Sequence, residues 1–373
     1  MLRRAQGVAA IRRSAPRMRL SAVLQHIQHI ASIGLADVVA IPEMLATLEL
    51  AVPAAYASFF WITRDGLPTR THTPPSVLDQ MARHTAGFEA LDPAFEPTLD
   101  KVLAVGGTVG NLSEMARRHD LSRSALIHEV MPRLGAAMGL DMVIRADGAP
   151  RAVLYLNREV GARDFSAAEQ RVLAATHAYF AHALGAPAGE PGAAPDPEAE
   201  AEAILTVDRA GGIIAAAGAW PVILSDLARL EPGDAGTGRL PPVLRPLLER
   251  QRMQPAGRLI SPARLTIATP HGEYRARAYL GQGEGGGGAD QITVIVAHHL
   301  PRAVGMLRRL AALPLSPTER RVAFAVGRGE PNARVADSLG LTPQTLRSYL
   351  KSIYARTETD GWASLAALVR GER

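Results

Sequence analysis

The chain has 373 residues, a length that suggests roughly two or three domains. Of these residues 47% are hydrophobic and 21% charged, which is ordinary for a globular protein. It contains no cysteine, which excludes disulfides, thiolate metal sites and a cysteine-linked chromophore. The net charge of +5 comes from residues 1–20, which contain six arginines and no acid, and the other residues carry a net charge of −1. The overall charge is therefore no argument for nucleic-acid binding.

A basic, disordered tail is predicted over residues 1–18. Its arginines also suit a targeting segment or a phosphate-binding arm, and Met18 is an alternative start. The sequence contains no run of 18 apolar residues, so we expect no contact with a membrane. The absence of cysteine is compatible with a cytoplasmic location.

Residues 19–185 alternate between helical and strand-like patterns, which predicts a first α+β domain. An Asp-Gly-Ala-Pro turn divides two strands, and Ser166 with Glu169 forms a capping box before a helix. The predicted helices are 19–34, 37–51, 120–139 and 164–184, and the predicted strands are 55–65, 102–110 and the pair within 142–159.

The segment GAPAGEPGAAPDPEAE offers nothing to bury, so residues 186–199 are predicted to be a linker. A second α+β domain is predicted over residues 200–300, with a long flexible loop at 281–290. Its predicted elements are strand, turn, strand and short helix over 203–224, a hairpin over 263–280 and a strand over 291–300.

Both predicted domains resemble sensor modules. Residues 142–184, which include RAVLYLNREVGARDFSAAEQRVL, resemble the closing strands and helix of a GAF domain. Residues 203–300, with ILTVDRAGGII and GEYRARAYL, resemble a PAS domain. The resemblance implies signal sensing or dimerisation. The resemblance does not indicate a particular cofactor, so we assign none. Binding of an unidentified small-molecule ligand is compatible with it. The alternative is protein-interaction modules whose pockets are filled by their own side chains.

A connecting helix is predicted over residues 301–313, followed by four helices in residues 314–373. Ser316 and Glu319 form a capping box for the first of these helices. Gly340 ends the second helix, and Thr342 caps the third after a very short turn. Two helices joined in this way make a helix-turn-helix.

The third helix has one apolar and one polar face. The apolar positions, at spacings of four and three residues, are Leu346, Leu350 and Ile353. The polar positions, among which there is no acid, are Gln344, Arg347, Ser348 and Lys351. Arginine and lysine can reach guanine and glutamine can pair with adenine, so this face suits a DNA major groove. Thr342, Thr345 and the helix N-terminus can hold a phosphate.

The final sixty residues closely resemble the LuxR-type (GerE-like) DNA-binding domain. LSPTERRV matches the opening helix of that family, and NARVADSLGLTPQTLRSYLKSIYAR matches its second and recognition helices. The resemblance implies that Arg347, Ser348 and Lys351 face bases and that Thr345 lies by the backbone. The sequence departs from the family in helix two, where Ala333 occupies the position of a common basic residue. Arg334 is next to it and is therefore the candidate for a phosphate contact.

The resemblance also implies that the last helix pairs two subunits through Trp362, Leu365, Leu368 and Val369. The alternative is that these side chains close the core of their own domain. The expected fold is therefore two α+β sensor domains followed by an all-α four-helix domain. The expected function is transcription regulation by a homodimer on double-stranded DNA, with a contact to RNA polymerase left open. We recognise no catalytic constellation and no metal site, so no enzymatic activity is expected.

Overall fold

We describe the protein from a computed structural model. It describes residues 20–64, 68–74, 77, 108–118, 121, 123–185, 194–230, 238–252, 262–280 and 291–372. The chain forms two compact units, of which one includes residues 15–188 and the other residues 189–373. The predicted basic tail, the loop at 281–290 and residues 186–193 of the predicted linker lie outside the described residues.

The first unit consists of one antiparallel sheet with helices, in the strand order β2-β1-β5-β4-β3. A π-helical turn, Leu126–Val130, precedes α4. The helices are α1 (Leu20–Ser32), α2 (Asp37–Leu48), α3 (Leu112–Arg118), α4 (Met131–Arg133) and α5 (Ala167–Gly185). The strands are β1 (Tyr56–Ile62), β2 (Pro68–His72), β3 (Val109–Asn111), β4 (Met138–Ala146) and β5 (Ala149–Arg158).

Helices α2 and α5 pack on the same face of this first sheet. The ring of Phe59 in β1 stacks on that of Phe180 in α5, with centroids 6.0 Å apart. Two residues along the same strand, Trp61 Nε1 donates a hydrogen bond to Asp37 Oδ2 at 2.8 Å. Because alternate residues of a strand point to opposite faces, Phe60, which lies between them, points away from these helices.

The predicted hairpin within residues 142–159 is confirmed. Strands β4 and β5 are joined by Asp147 and Gly148, whose φ angles of 52° and 75° are those of a two-residue turn. The helix predicted over 120–139 is wrong in extent, because its last two residues belong to β4 and its helical part lies in 126–133. Met138 and Gly139 pair with β5, and this strand pairing outweighs the helical preference of the local sequence.

The capping box before α5 is confirmed and carries an additional ion pair. The Ser166 amide donates to Glu169 Oε2 at 2.8 Å, and Arg158 Nη2 donates to Glu169 Oε1 at 2.7 Å. Burial would raise the pKa of Glu169. The hydrogen bonds from Ser166 and Arg158 outweigh burial and lower that pKa to about 2. The start of α5 is thereby anchored to the end of β5.

The second unit contains another five-stranded antiparallel sheet, in the order β7-β6-β10-β9-β8. Both sheets therefore have the same strand order when each is numbered from its own first strand. The strands are β6 (Ala201–Val207), β7 (Ile213–Gly218), β8 (Ala263–Thr269), β9 (Gly272–Leu280) and β10 (Ile292–His299). Two helices in this part of the unit are α6 (Trp220–Ala228) and α7 (Arg245–Arg252).

Five helices complete the second unit. They are α8 (Arg302–Ala312), α9 (Pro317–Gly327), α10 (Asn332–Leu339), α11 (Pro343–Thr357) and α12 (Trp362–Arg370). The architecture is thus mixed α and β, with two antiparallel sheets followed by helices, as the sequence predicted. In the described part of the chain, every helix is too short or too polar to cross a lipid bilayer.

Candidate nucleic-acid interface

The N-terminus of α9 is fixed by a capping box. The Ser316 amide donates to Glu319 Oε2 at 2.7 Å, and the Glu319 amide donates to Ser316 Oγ at 3.3 Å. The same buried carboxylate makes two further contacts that sequence reasoning missed. Its Oε1 accepts a hydrogen bond from Ser352 Oγ at 2.7 Å, and Arg356 Nη1 lies 3.6 Å from its Oε2. Glu319 therefore joins α9 to α11.

We expect Glu319→Gln to weaken the attachment of α11 by about 1–3 kcal/mol, since it removes a charged acceptor from a buried network. Burial would raise the pKa of Glu319, but hydrogen bonds from Ser352 and Ser316 and the charge of Arg356 outweigh it and lower that pKa below the usual 4.5. The stabilisation is therefore complete above pH 4.5 and is lost as the pH falls through the folded-state value.

Urea unfolding followed by the fluorescence of Trp362, with Trp61 and Trp220 replaced by phenylalanine, measures this effect. The matched control is Glu330→Gln, because Glu330 pairs at 3.3 Å with an exposed arginine, Arg328. Equal losses of stability in the two variants at neutral pH would contradict the assigned role of Glu319.

Helices α10 and α11 are joined by a very short turn. Gly340 has a φ of 63°, and the Leu341 amide donates to Ala336 O at 2.8 Å. This left-handed residue ends α10 as predicted. Thr342 then caps α11, since its Oγ1 accepts from the Thr345 amide at 3.1 Å. The two helices therefore have the connection that the sequence indicated.

Helix α11 has one buried and one exposed face, as predicted. The buried side chains are Leu346, Leu350 and Ile353. The exposed side chains are Gln344, Arg347, Ser348 and Lys351. No other described residue pairs with or hydrogen-bonds to Arg347 or Lys351, whereas Arg356 donates to Pro314 O at 3.0 Å. Among the described residues, the helix thus presents two unpaired cationic groups one turn apart on a face to which α11 itself contributes no acid.

The other predicted phosphate-contacting residues lie on the same two helices. The hydroxyls of Thr342 and Thr345 are 2.8 Å apart at the exposed N-terminus of α11. Arg334 is exposed on α10. The free amides of a helix N-terminus favour anions, so these groups can bind a phosphate beside the exposed face of α11.

The predicted dimerisation residues of α12 divide into two pairs. Leu365 and Val369 are fully buried in their own chain. Leu368 is 39% exposed and Trp362 is partly exposed. Only the second pair is therefore accessible to another subunit.

Arg309 of α8 links the region before β6 to the C-terminal end of α12. Its Nε donates to Val369 O at 2.9 Å, and its Nη2 donates to Arg370 O at 3.0 Å. The same Nη2 donates to Asp196 Oδ2 at 2.7 Å, and the Asp196 side chain is only 7% exposed. We call these contacts the Arg309 junction.

The Arg309 junction requires a glycine in α8. A Cβ on Gly305 would overlap the carboxylate of Asp196 and crowd the Arg309 guanidinium. Asp196 lies within the predicted linker, where it is held because its amide donates to Leu300 O at 2.8 Å. Sequence reasoning missed this junction. The one local signal was a glycine inside an amphipathic helix, where it lowers helix stability unless packing requires it.

Comparisons with known proteins are less informative than this geometry. No family model matches the chain, and no curated protein matches it. Among solved structures, the chain is similar to the sensor region of a sensor histidine kinase, with 12% sequence identity, a TM-score of 0.18, and coverage of 65% of this chain and 84% of that one. A TM-score this low supports no argument.

Proposed function

We propose that the protein is a LuxR-type transcription regulator that binds double-stranded DNA sequence-specifically. The exposed, acid-free face of α11, with Arg347 and Lys351 unpaired among the described residues, is the observation that carries this proposal. A surface helix usually carries both acidic and basic residues. A helix that is anchored by a buried apolar face and exposes unpaired basic residues on the other suits binding to a polyanion.

The proposed binding mode places α11 in the major groove. Arg347, Ser348 and Lys351 read base edges, with Gln344 near the N-terminus of the helix. The N-terminus of α11, with Thr345, holds one phosphate and sets the orientation of the helix. Arg334 of α10 contacts the backbone nearby.

A homodimer would place two such helices on two half-sites. We expect Leu368→Glu to weaken subunit association, because Leu368 is the more exposed of the two large apolar side chains that α12 offers a partner. Sedimentation measures the dimer fraction, and Ala363→Glu, at another exposed position of α12, is the control. If Leu368→Glu dimerises as the wild type does, α12 is not part of the dimer interface.

The two sheet-containing regions are proposed to be GAF-like and PAS-like sensor domains. Helix α8 follows the PAS-like sheet directly, and the Arg309 junction joins it to α12. A change in the sensor region can therefore alter the position of α12 without any contact with DNA. Such a change shifts the population of binding-competent dimers.

The proposal is tested by selecting genomic DNA fragments with the full-length protein and with the Arg347→Ala/Lys351→Ala variant. We expect the wild type alone to enrich a two-fold symmetric motif. If the full-length protein enriches no motif, the selection is repeated with residues 301–373 alone. Enrichment by this fragment would show that the sensor region inhibits DNA binding in the full-length protein. Failure of both forms to enrich any motif would reject the function.

A further inference from the structure

The face of the first sheet opposite α2 and α5 carries a line of polar side chains. In register, Ser58 of β1 faces Tyr155 of β5, which faces Asp141 of β4, which in turn faces Gly110 of β3. These neighbours come from four different strands. Ser58 and Asp141 are each only 5% exposed, and the glycine adds no side chain beside the carboxylate.

A further hydroxyl extends the line at its other end. In the β1–β2 register Phe59 faces His72, so Thr73 comes next to Ser58. Thr73 is 6% exposed, and its Oγ1 has no hydrogen-bond partner among the residues that the structure describes. We call Thr73, Ser58, Tyr155 and Asp141 the polar row.

Asp141 is an almost fully buried residue of β4. No hydrogen bond or ion pair reaches it from any residue that the structure describes. Burial raises the pKa of Asp141 to about 7, and burial together with Asp141 raises the pKa of Tyr155. A buried charge without a partner is costly, and polar groups in native interiors are almost always satisfied. A hydroxyl and a carboxylate in one line, neither of them hydrogen-bonded to any described residue, therefore indicate a missing partner.

Aromatic and apolar side chains flank the polar row. The ring of Phe60 meets that of Tyr155 edge-on, with centroids 5.5 Å apart and an interplanar angle of 85°. On β4, Val143 follows Asp141 on the same face and packs under Met115 and Leu121. A carboxylate beside aromatic rings is the chemistry that recognises an organic cation, through an ion pair and cation–π contact.

We propose that the polar row binds a small organic cation whose protonated amine or guanidinium pairs with Asp141. The apolar body of the ligand lies against Phe60 and Tyr155. The hydroxyls of Ser58 and Thr73 bind its remaining polar groups. This inference rests on the proposed sensing role of the first unit and names the class of signal that the unit detects.

Binding is measured by calorimetry on the full-length protein without DNA. The probes are 2-phenylethylamine and benzylguanidine, each paired with a neutral analogue, 2-phenylethanol and benzylurea. We expect the cations to bind at least about tenfold more tightly than their analogues, and Asp141→Asn to remove that difference. The matched control is Asp147→Asn, since Asp147 is exposed on the β4–β5 turn.

Each of three results would overturn the proposal. The neutral analogues could bind as tightly as the cations, Asp141→Asn could bind the cations as tightly as the wild type does, or neither cation could bind. Should Asp141→Asn fail to fold, amide exchange in wild-type β4 and β5 decides, because only the cations should slow it. DNA affinity does not enter these measurements, so a failure of the DNA-binding proposal leaves the outcome interpretable.

Discussion

Replacing Arg347 with alanine is expected to weaken binding to the selected DNA site by about 1–3 kcal/mol, or roughly 5- to 150-fold. Lys351→Ala should cost a similar amount, since both side chains are exposed and free on one face of α11. A lost bidentate contact with guanine removes discrimination as well as affinity. Fluorescence anisotropy on the selected site and on random duplex, at one salt concentration, measures both quantities.

The control for lost charge is Arg171→Ala, which removes an exposed arginine from α5 in the first unit. It should leave both affinities within about twofold of the wild type, because Arg171 belongs to none of the helices proposed to contact DNA and exposed surface substitutions usually have small effects. A loss of affinity in Arg347→Ala that is equal on specific and random DNA would show that Arg347 contacts only phosphates.

Removing the Arg309 side chain is expected to detach the C-terminal end of α12, at a cost of about 3 kcal/mol. Arg309→Ala leaves the carboxylate of Asp196 buried without its cation and deprives the carbonyls of Val369 and Arg370 of their donor. The amides of residues 362–370 should then exchange faster by about two orders of magnitude. Hydrogen exchange with mass spectrometry measures this in the full-length protein.

The neighbouring arginine provides a matched control. Arg308 pairs with Glu200 at 2.6 Å, but both side chains are well exposed, at 46% and 37%. Arg308→Ala should therefore cost less than about 1 kcal/mol. Similar exchange rates of α12 in the two variants would contradict the assigned role of the Arg309 junction.

Gly305→Ala tests the same junction from the opposite direction. Alanine in place of glycine normally stabilises a helix by about 1 kcal/mol. Here the added Cβ overlaps the carboxylate of Asp196, so the variant should loosen α12 despite its better helix propensity. Together with Arg309→Ala, it separates a defect of the junction from a simple loss of charge.

The local features of the candidate interface were predictable from the sequence. A capping box, a left-handed glycine and a threonine cap depend on residues at most a few positions apart, so Ser316, Gly340 and Thr342 indicate their own roles. The apolar spacing of α11 likewise separates its buried stripe from its exposed face. The hairpin at Asp147 and Gly148 is local for the same reason.

Contacts between distant segments were decided by the tertiary structure alone. Arg309 and Asp196 are 113 positions apart, and nothing in a predicted linker marks one aspartate as the partner of one arginine. The polar row combines strands whose register no single strand specifies, so the side chain facing Asp141 follows only from how the sheet assembles. Sequence determines helices, turns and faces through short-range sterics and hydrogen bonds, whereas packing determines which faces meet.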